Sequence, residues 1–183
     1  IRDLLRKGEL ALAQVDLAST IRDVAAILRS EALVRQVSVA LDLDGYPVIV
    51  LGDRVQLQQV MLNLLHNAME AMADGRAHPT NVSVRCRRTD SSTKSGHSST
   101  GSAQGPGLAR VTVSDTGPGL VPGAEETVFE PFYTTKKDGM GMGLSIVRSI
   151  VESHGGSIRA TNHERGGALF EFVLPLAGDT DRP

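Results

Sequence analysis

The chain has 183 residues, 40% hydrophobic and 22% charged, with a formal net charge of −2; this suits one α/β domain with a core of its own. That charge excludes a global positive field of the kind that holds nucleic acid or an anionic membrane. The single cysteine, Cys86, excludes an internal disulfide framework, and no apolar run approaches the roughly 20 residues of a membrane span. No signal peptide is visible. The chain begins at Ile1 rather than Met, as a piece cut from a longer protein would.

In chain order, Ile1 to Leu10 mixes charged and apolar residues with helical spacing. It is too short to be stable alone, so residues 1–15 read as the end of an upstream helix and a linker. Asp16 is placed to cap a helix from about Leu17 to Gln36, with Leu17, Ile21, Val24, Ile27, Leu28 and Ala32 as its apolar stripe. Val37, Val39, Leu41 and Leu43 alternate as in a half-buried strand, Asp44-Gly45 turns, and Val48 to Leu51 is a second short strand. Asp53 caps a helix to about Met72, ended by Asp74-Gly75. Asn81 to Arg88 is a strand with Val82, Val84 and Cys86 on one face, which makes Cys86 a buried structural thiol.

Residues 90–107 are mostly Ser, Thr and Gly, a flexible insertion with too little apolar surface to order itself. Leu108 to Ser114 is a strand, followed by a glycine-rich loop from Asp115 to about Gly141. A helix from Met142 to His154 stops at Gly155-Gly156. His154 at its end suits the helix dipole as a partial positive charge. Ser157 to Thr161 and Ala168 to Leu174 form a closing hairpin, and the tail after Pro175 reads as disordered. The expected fold is a two-layer α/β sandwich, a mixed sheet of five or more strands covered on one face by about three helices.

Three runs carry chemistry. Gln56, Gln59, Asn63, Asn67 and Glu70 share one helix face. They are either a solvated amide stripe or a source of oxygens for a hard cation such as Mg²⁺, which takes few protein ligands beside nucleotide phosphates. Ser114-Asp115-Thr116-Gly117-Pro118-Gly119 delivers a carboxylate from a strand into a loop that backbone or ligand can approach closely. It is either a capped turn or an acceptor for an exocyclic amine. Gly139-Met140-Gly141-Met142-Gly143-Leu144-Ser145 opens a helix, whose free N–H groups favour phosphate. Leu144 stands where a dinucleotide fingerprint needs glycine, and no P-loop occurs. Between these lies Phe129-Glu130-Pro131-Phe132-Tyr133-Thr134-Thr135-Lys136. It offers two hydroxyls and a lysine for a phosphate-covering lid, with Phe129 and Phe132 as anchors, and it also serves as a hydrophobic plug.

Together these runs resemble the four nucleotide-binding boxes of the ATP-binding catalytic domain of bacterial two-component sensor histidine kinases. That domain belongs to the GHKL superfamily, with gyrase, Hsp90 and MutL. Asn63-Leu64-Leu65-His66-Asn67-Ala68 resembles the N box and Asp115 to Gly119 the G1 box. Phe129 to Lys136 resembles the F box and Gly139 to Gly143 the G2 box. The order is the family's, and the similarity covers about Asp16 to Pro175. Pro-Phe-Tyr-Thr-Thr-Lys and Glu70-Ala71-Met72 are similar to a branch that senses nitrogen status, C4-dicarboxylates or oxygen.

The resemblance implies a GHKL (Bergerat) sandwich over residues 16–176, a lid over 119–141, a tail over 177–183, and Mg·ATP as ligand. Asn67 would hold Mg²⁺, with Asn63 in support, and Asp115 would bind the adenine amine. Gly117 and Gly119 would shape the adenine side. Gly139, Gly141 and Gly143 would let the lid fold and, with Leu144, meet the phosphates. Lys136, with Thr134 and Thr135, would neutralise the terminal phosphates. Catalytic roles would fall to Asn63, Asn67 and Lys136.

ATP-hydrolysing relatives carry a glutamate base where Asn63 stands, and an amide takes no proton from water. The resemblance therefore implies a kinase that keeps ATP for a histidine and passes the phosphoryl group to a response regulator receiver domain. A GHKL ATPase and a degenerate nucleotide-sensing module are the alternatives. The acceptor histidine belongs on an upstream helical hairpin. Of His66, His78, His97, His154 and His163 only His163 precedes an acidic residue, and it lies in a hairpin turn. The family pattern further implies a cytoplasmic domain, free or on a membrane-bound sensor. It would be homodimeric in the whole protein and a monomer or weak dimer alone. Two departures stand out: Glu70-Ala71 replaces the common Lys-Tyr, and Ala168 a common threonine.

Overall fold

Asp16 sets the first corner of the fold. In the computed structural model, which describes residues 12–72, 80–89, 107–136, 139–163 and 166–178, it ends strand β1 (Ala13–Asp16). Its carboxylate accepts the Ala18 and Ser19 N–H groups at 3.1 and 3.3 Å and so caps helix α1 (Leu17–Ile27). The same side chain takes the Val48 N–H at 3.0 Å, while the Leu17 N–H donates to the Val48 carbonyl at 3.0 Å. These bonds lay strand β3 (Ile49–Gly52) antiparallel to β1, with Ala13 opposite Gly52. The second short strand is thus real but stands outside the main sheet. Residues 13–15, expected as linker, are paired within the fold because β3 offers them an edge.

The helix expected over Leu17–Gln36 is two helices, α1 and α2 (Arg29–Val34), joined at Leu28 with φ −83° and ψ 0°. The bonds from Leu28 N–H to Val24 O and Ala32 N–H to Leu28 O survive, so the break is a local bend. Leu17, Ile21, Val24 and Ala32 are buried as expected, but Ile27 is 65% exposed. At 3.6 residues per turn it sits about 100° from the centre of the stripe.

Five strands form the main sheet in the order β2 (Ser38–Leu43), β4 (Asn81–Thr89), β5 (Leu108–Asp115), β7 (Ala168–Pro175), β6 (Ser157–Asn162). The β2–β4 pair is parallel and the rest antiparallel. Val82, Val84 and Cys86, then Ala109, Val111 and Val113, then Phe170, Phe172 and Leu174 all point to one buried face. The period of two makes this possible. Burial pushes the Cys86 thiol up to about 12, which fits an inert core thiol. The opposite face is polar and ion-paired, with Glu171 between Arg110 at 2.8 Å and Arg159 at 2.7 Å.

Helices α1, α3 (Arg54–Met72) and α4 (Gly143–Ser153) cover the apolar face. Asp53 caps α3 through the Val55 and Gln56 N–H groups at 2.8 and 3.1 Å. His154, expected as a positive charge on the dipole, is buried and acts as a neutral bridge. Its Nε2 accepts the Asp53 N–H at 3.0 Å, so its Nδ1–H donates to the Ile150 carbonyl at 2.8 Å. The chain after Pro175 is tied down for at least two residues. Leu176 bridges Val50, and the Ala177 N–H donates to Ile49 O at 2.9 Å. The expected insertion (apart from Gly107), the Asp74-Gly75 stop and the last five residues lie outside the described residues. No described helix is long and apolar enough to cross a membrane.

Candidate functional site

Segments far apart in sequence meet around an open cavity of about 930 Å³. Helix α3 supplies Asn63, His66, Asn67, Glu70 and Ala71, the end of β5 supplies Asp115, and β7 supplies Ala168 and Phe170. The loop between β5 and α4 closes the other side with Thr134, Thr135, Lys136, Gly139 and Gly141, and Gly143 and Leu144 follow as the first residues of α4. Gln56 and Gln59, on the same helix stripe, do not line the cavity. They lie toward the other end of α3.

Asp115 faces the cavity because the inward alternation of Ala109, Val111 and Val113 continues to it. A one-residue slip of β5 would turn the carboxylate to solvent. Its Oδ1 accepts the Gly117 N–H at 2.8 Å and the Ala168 N–H at 3.2 Å. Oδ2 takes neither of these bonds, so it can accept one from a donor in the cavity. Burial raises the Asp115 pKa, and the two backbone hydrogen bonds only partly offset this. Gly117 therefore acts behind the carboxylate rather than on the cavity wall. Gly167 supports the same corner: its φ is +90°, and a Cβ there would lie 2.0 Å from the Asp115 carbonyl oxygen.

The loop is fixed at two points before it covers the cavity. At its root, Asn162 at the end of β6 grips Leu120, its Oδ1 accepting the Leu120 N–H at 2.6 Å and its Nδ2 donating to the Leu120 carbonyl at 2.9 Å. In its middle, a 3-10 turn at Thr127–Phe129 buries Val128 and Phe129. Phe129 meets Phe170 edge-on at 6.3 Å, and Arg148 lies 4.8 Å over the Phe129 ring. Phe132, expected as a second anchor, is 76% exposed with φ +67°. Its N–H donates to Gly141 O at 2.9 Å, and a Cβ on Gly141 would come within 2.5 Å of its carbonyl carbon. Backbone rather than ring thus joins the two motifs. Nothing in the sequence signals the Asn162 grip, whose partners are 42 positions apart.

Toward the opposite end, Asn63 Nδ2 donates to Gly143 O at 3.5 Å, which sets the first turn of α4 against α3. No side chain caps that turn, so its N–H groups remain available to an anion. The Lys136 ammonium donates to Asn67 Oδ1 at 3.3 Å and pairs with the Glu70 carboxylate. Burial pushes the Glu70 pKa up, but the Lys136 hydrogen bond and charge, with smaller help from His66 and Arg35, hold it below the usual range. Among the described residues no group of three or more His, Cys, Asp or Glu could hold a metal. The fit to Mg²⁺ rests instead on these oxygens: an amide and a carboxylate that already share one cation suit a hard ion completed by phosphates.

A family model described as "Histidine kinase-, DNA gyrase B-, and HSP90-like ATPase" matches residues 52–178. The chain belongs to this ATPase family. It is 36% identical to the sensor protein FixL of Bradyrhizobium diazoefficiens over 98% of its own length and 32% of FixL. It is 32% identical to the C4-dicarboxylate transport sensor protein DctS of Rhodobacter capsulatus over 96% of its length and 24% of DctS. It therefore spans about a third or less of these relatives. The crystal structure of histidine kinase ThkA with response regulator protein TrrA matches at a TM-score of 0.71 and 25% identity, over 98% of this chain and 47% of that one. The mixed sheet under its helices is thus the family's sandwich, and the residues lining the cavity, from Asn63 to Phe170, all fall within the matched span.

Proposed function

We propose that this chain binds Mg·ATP in the described cavity and donates the γ-phosphoryl group to a histidine on a helical hairpin outside it, for relay to a response regulator. The observation that carries the reading is Asp115, a buried carboxylate with one oxygen fixed by two backbone N–H groups and the other open to the cavity. That end would take the adenine amine. Asn67 and the phosphates would hold Mg²⁺, which when bound neutralises charge on the transferring group. Thr134, Thr135 and Lys136 would meet the terminal phosphates, and the uncapped start of α4 would add N–H groups. Asn63 holds the α3–α4 corner, and its amide cannot act as a base toward water. Slow hydrolysis is therefore expected, with ATP kept for the acceptor. The TrrA complex of ThkA supports a receiver domain as the next partner, and the use of ATP fits a cytoplasmic location.

Residues 1–15 would lead in from the hairpin, the last three of them already paired onto β3, residues 16–176 would form the rest of the catalytic domain, and the lid would run over 119–141. The whole protein would be a homodimer and this chain a monomer or weak dimer, which sedimentation at micromolar concentration checks. Calorimetric titration of Mg·ATP tests the site. Wild type should bind, and Asp115→Asn should weaken binding tenfold or more, about 1.4 kcal/mol. No binding by folded wild type would defeat the reading. Phosphate transfer to the hairpin restored in cis then separates a kinase from a regulatory module.

A further inference from the structure

One lysine bridges two acceptors at the mouth of the cavity. The Lys136 ammonium reaches Asn67 Oδ1 at 3.3 Å and the Glu70 carboxylate together. The two acceptors are three residues apart on one face of α3. That helix is held by Leu64, Leu65, Ala68 and Met69, each no more than 2% exposed. The backbone that carries the acceptors is therefore fixed, whereas Lys136 sits on the exposed loop opposite and its side chain is 42% exposed. Glu70 also lies 3.6 Å from His66 Nδ1, so the Lys136 ammonium and the imidazole flank the same carboxylate. Beside a triphosphate, a carboxylate without a cation would add like-charge repulsion. Glu70 thus needs a positive partner when nucleotide is bound, and the phosphates compete for Lys136.

We propose that Asn67 Oδ1 and the Glu70 carboxylate form one cation position, filled by Lys136 as seen here and by Mg²⁺ when nucleotide binds. The exchange frees Lys136 for the terminal phosphates. It rests on the nucleotide reading above and adds Glu70 to the metal's surroundings.

A Mn²⁺ titration without nucleotide, followed by the paramagnetic resonance of free Mn²⁺, tests the position itself. Lys136→Met should bind Mn²⁺ at least fivefold more tightly than wild type, because the competing ammonium is gone. Adding Glu70→Gln should erase that gain, and Glu70→Asp should keep part of it. A Lys136→Met variant with no gain, or a gain that survives Glu70→Gln, overturns the proposal. ATP titrations in excess Mg²⁺ and in chelator give a second readout. Glu70→Gln should shrink the Mg²⁺ enhancement of ATP affinity at least fivefold, and an unchanged enhancement counts against it. Wild type that binds no ATP in either condition defeats the nucleotide reading instead, a result distinguishable from an unchanged Mn²⁺ series.

Discussion

The two ends of the cavity are built differently. Around Asp115 everything is backbone and sheet: the carboxylate is 5% exposed, held by two amide hydrogens and backed by a glycine that admits no side chain. Around Lys136 the partners are side chains from two elements, and the lysine is on an exposed loop. On the proposed reading, recognition of the base would be organised before a ligand comes, while recognition of phosphate would be assembled by contacts that exchange.

The largest effect should come from the rigid end. Gly167→Ala places a side chain at φ +90° against the Asp115 carbonyl. Denaturant unfolding should show a loss of about 3 kcal/mol, the sum of strain and overpacking; a loss below about 1 kcal/mol would mean the corner yields. Hydrogen exchange should then separate the ends. Amides over 119–136 should gain about tenfold protection with Mg·ATP, and those of β5 less than twofold. Equal gains at both ends would break the comparison.

A smaller effect is expected where the ends join. Asn162→Ala removes both bonds to Leu120. It should weaken Mg·ATP binding about fivefold, roughly 1 kcal/mol, with Asn162→Asp in between because it keeps the acceptor. The smallest effect is in pH. Burial raises Asp115, so its contribution to folding is present below the ordinary value of about 3.9 and lost as pH rises through the raised value. Its acceptor role runs the other way. Affinity for ATP should fall as pH drops through that same raised value, while the fold grows no weaker from this group. Calorimetry and thermal melts over one acid series check both signs.

Much of this was legible because it is local. Asp53 as a cap, the burial face of β4 and the two glycine motifs each depend on neighbours a few positions away. The four boxes could be placed because the family keeps their order. What escaped was non-local. Strand β1 has too few residues to show a period, and only β3, more than 30 positions on, makes it a strand. His154 is a bridge rather than a charge because Asp53 meets it across 101 positions. The bend at Leu28 has no glycine or proline beside it to announce it. In the site, the Asp115 corner follows from strand alternation. The Lys136 contact depends on where a loop comes to rest, and no pattern in α3 names that partner.

The pairing of β1 with β3 makes the domain a lever. β3 runs through Asp53 directly into α3, and Asn67 stands 14 residues beyond that cap. At 1.5 Å per residue this is an arm of about 21 Å. A tilt of about 5° applied where the chain enters at Ala13 would swing the far end of that arm by about 2 Å. Such a displacement is comparable to the length of a metal–oxygen bond. Torque delivered at the entry strand would therefore reach the Asn67 end of α3 as translation.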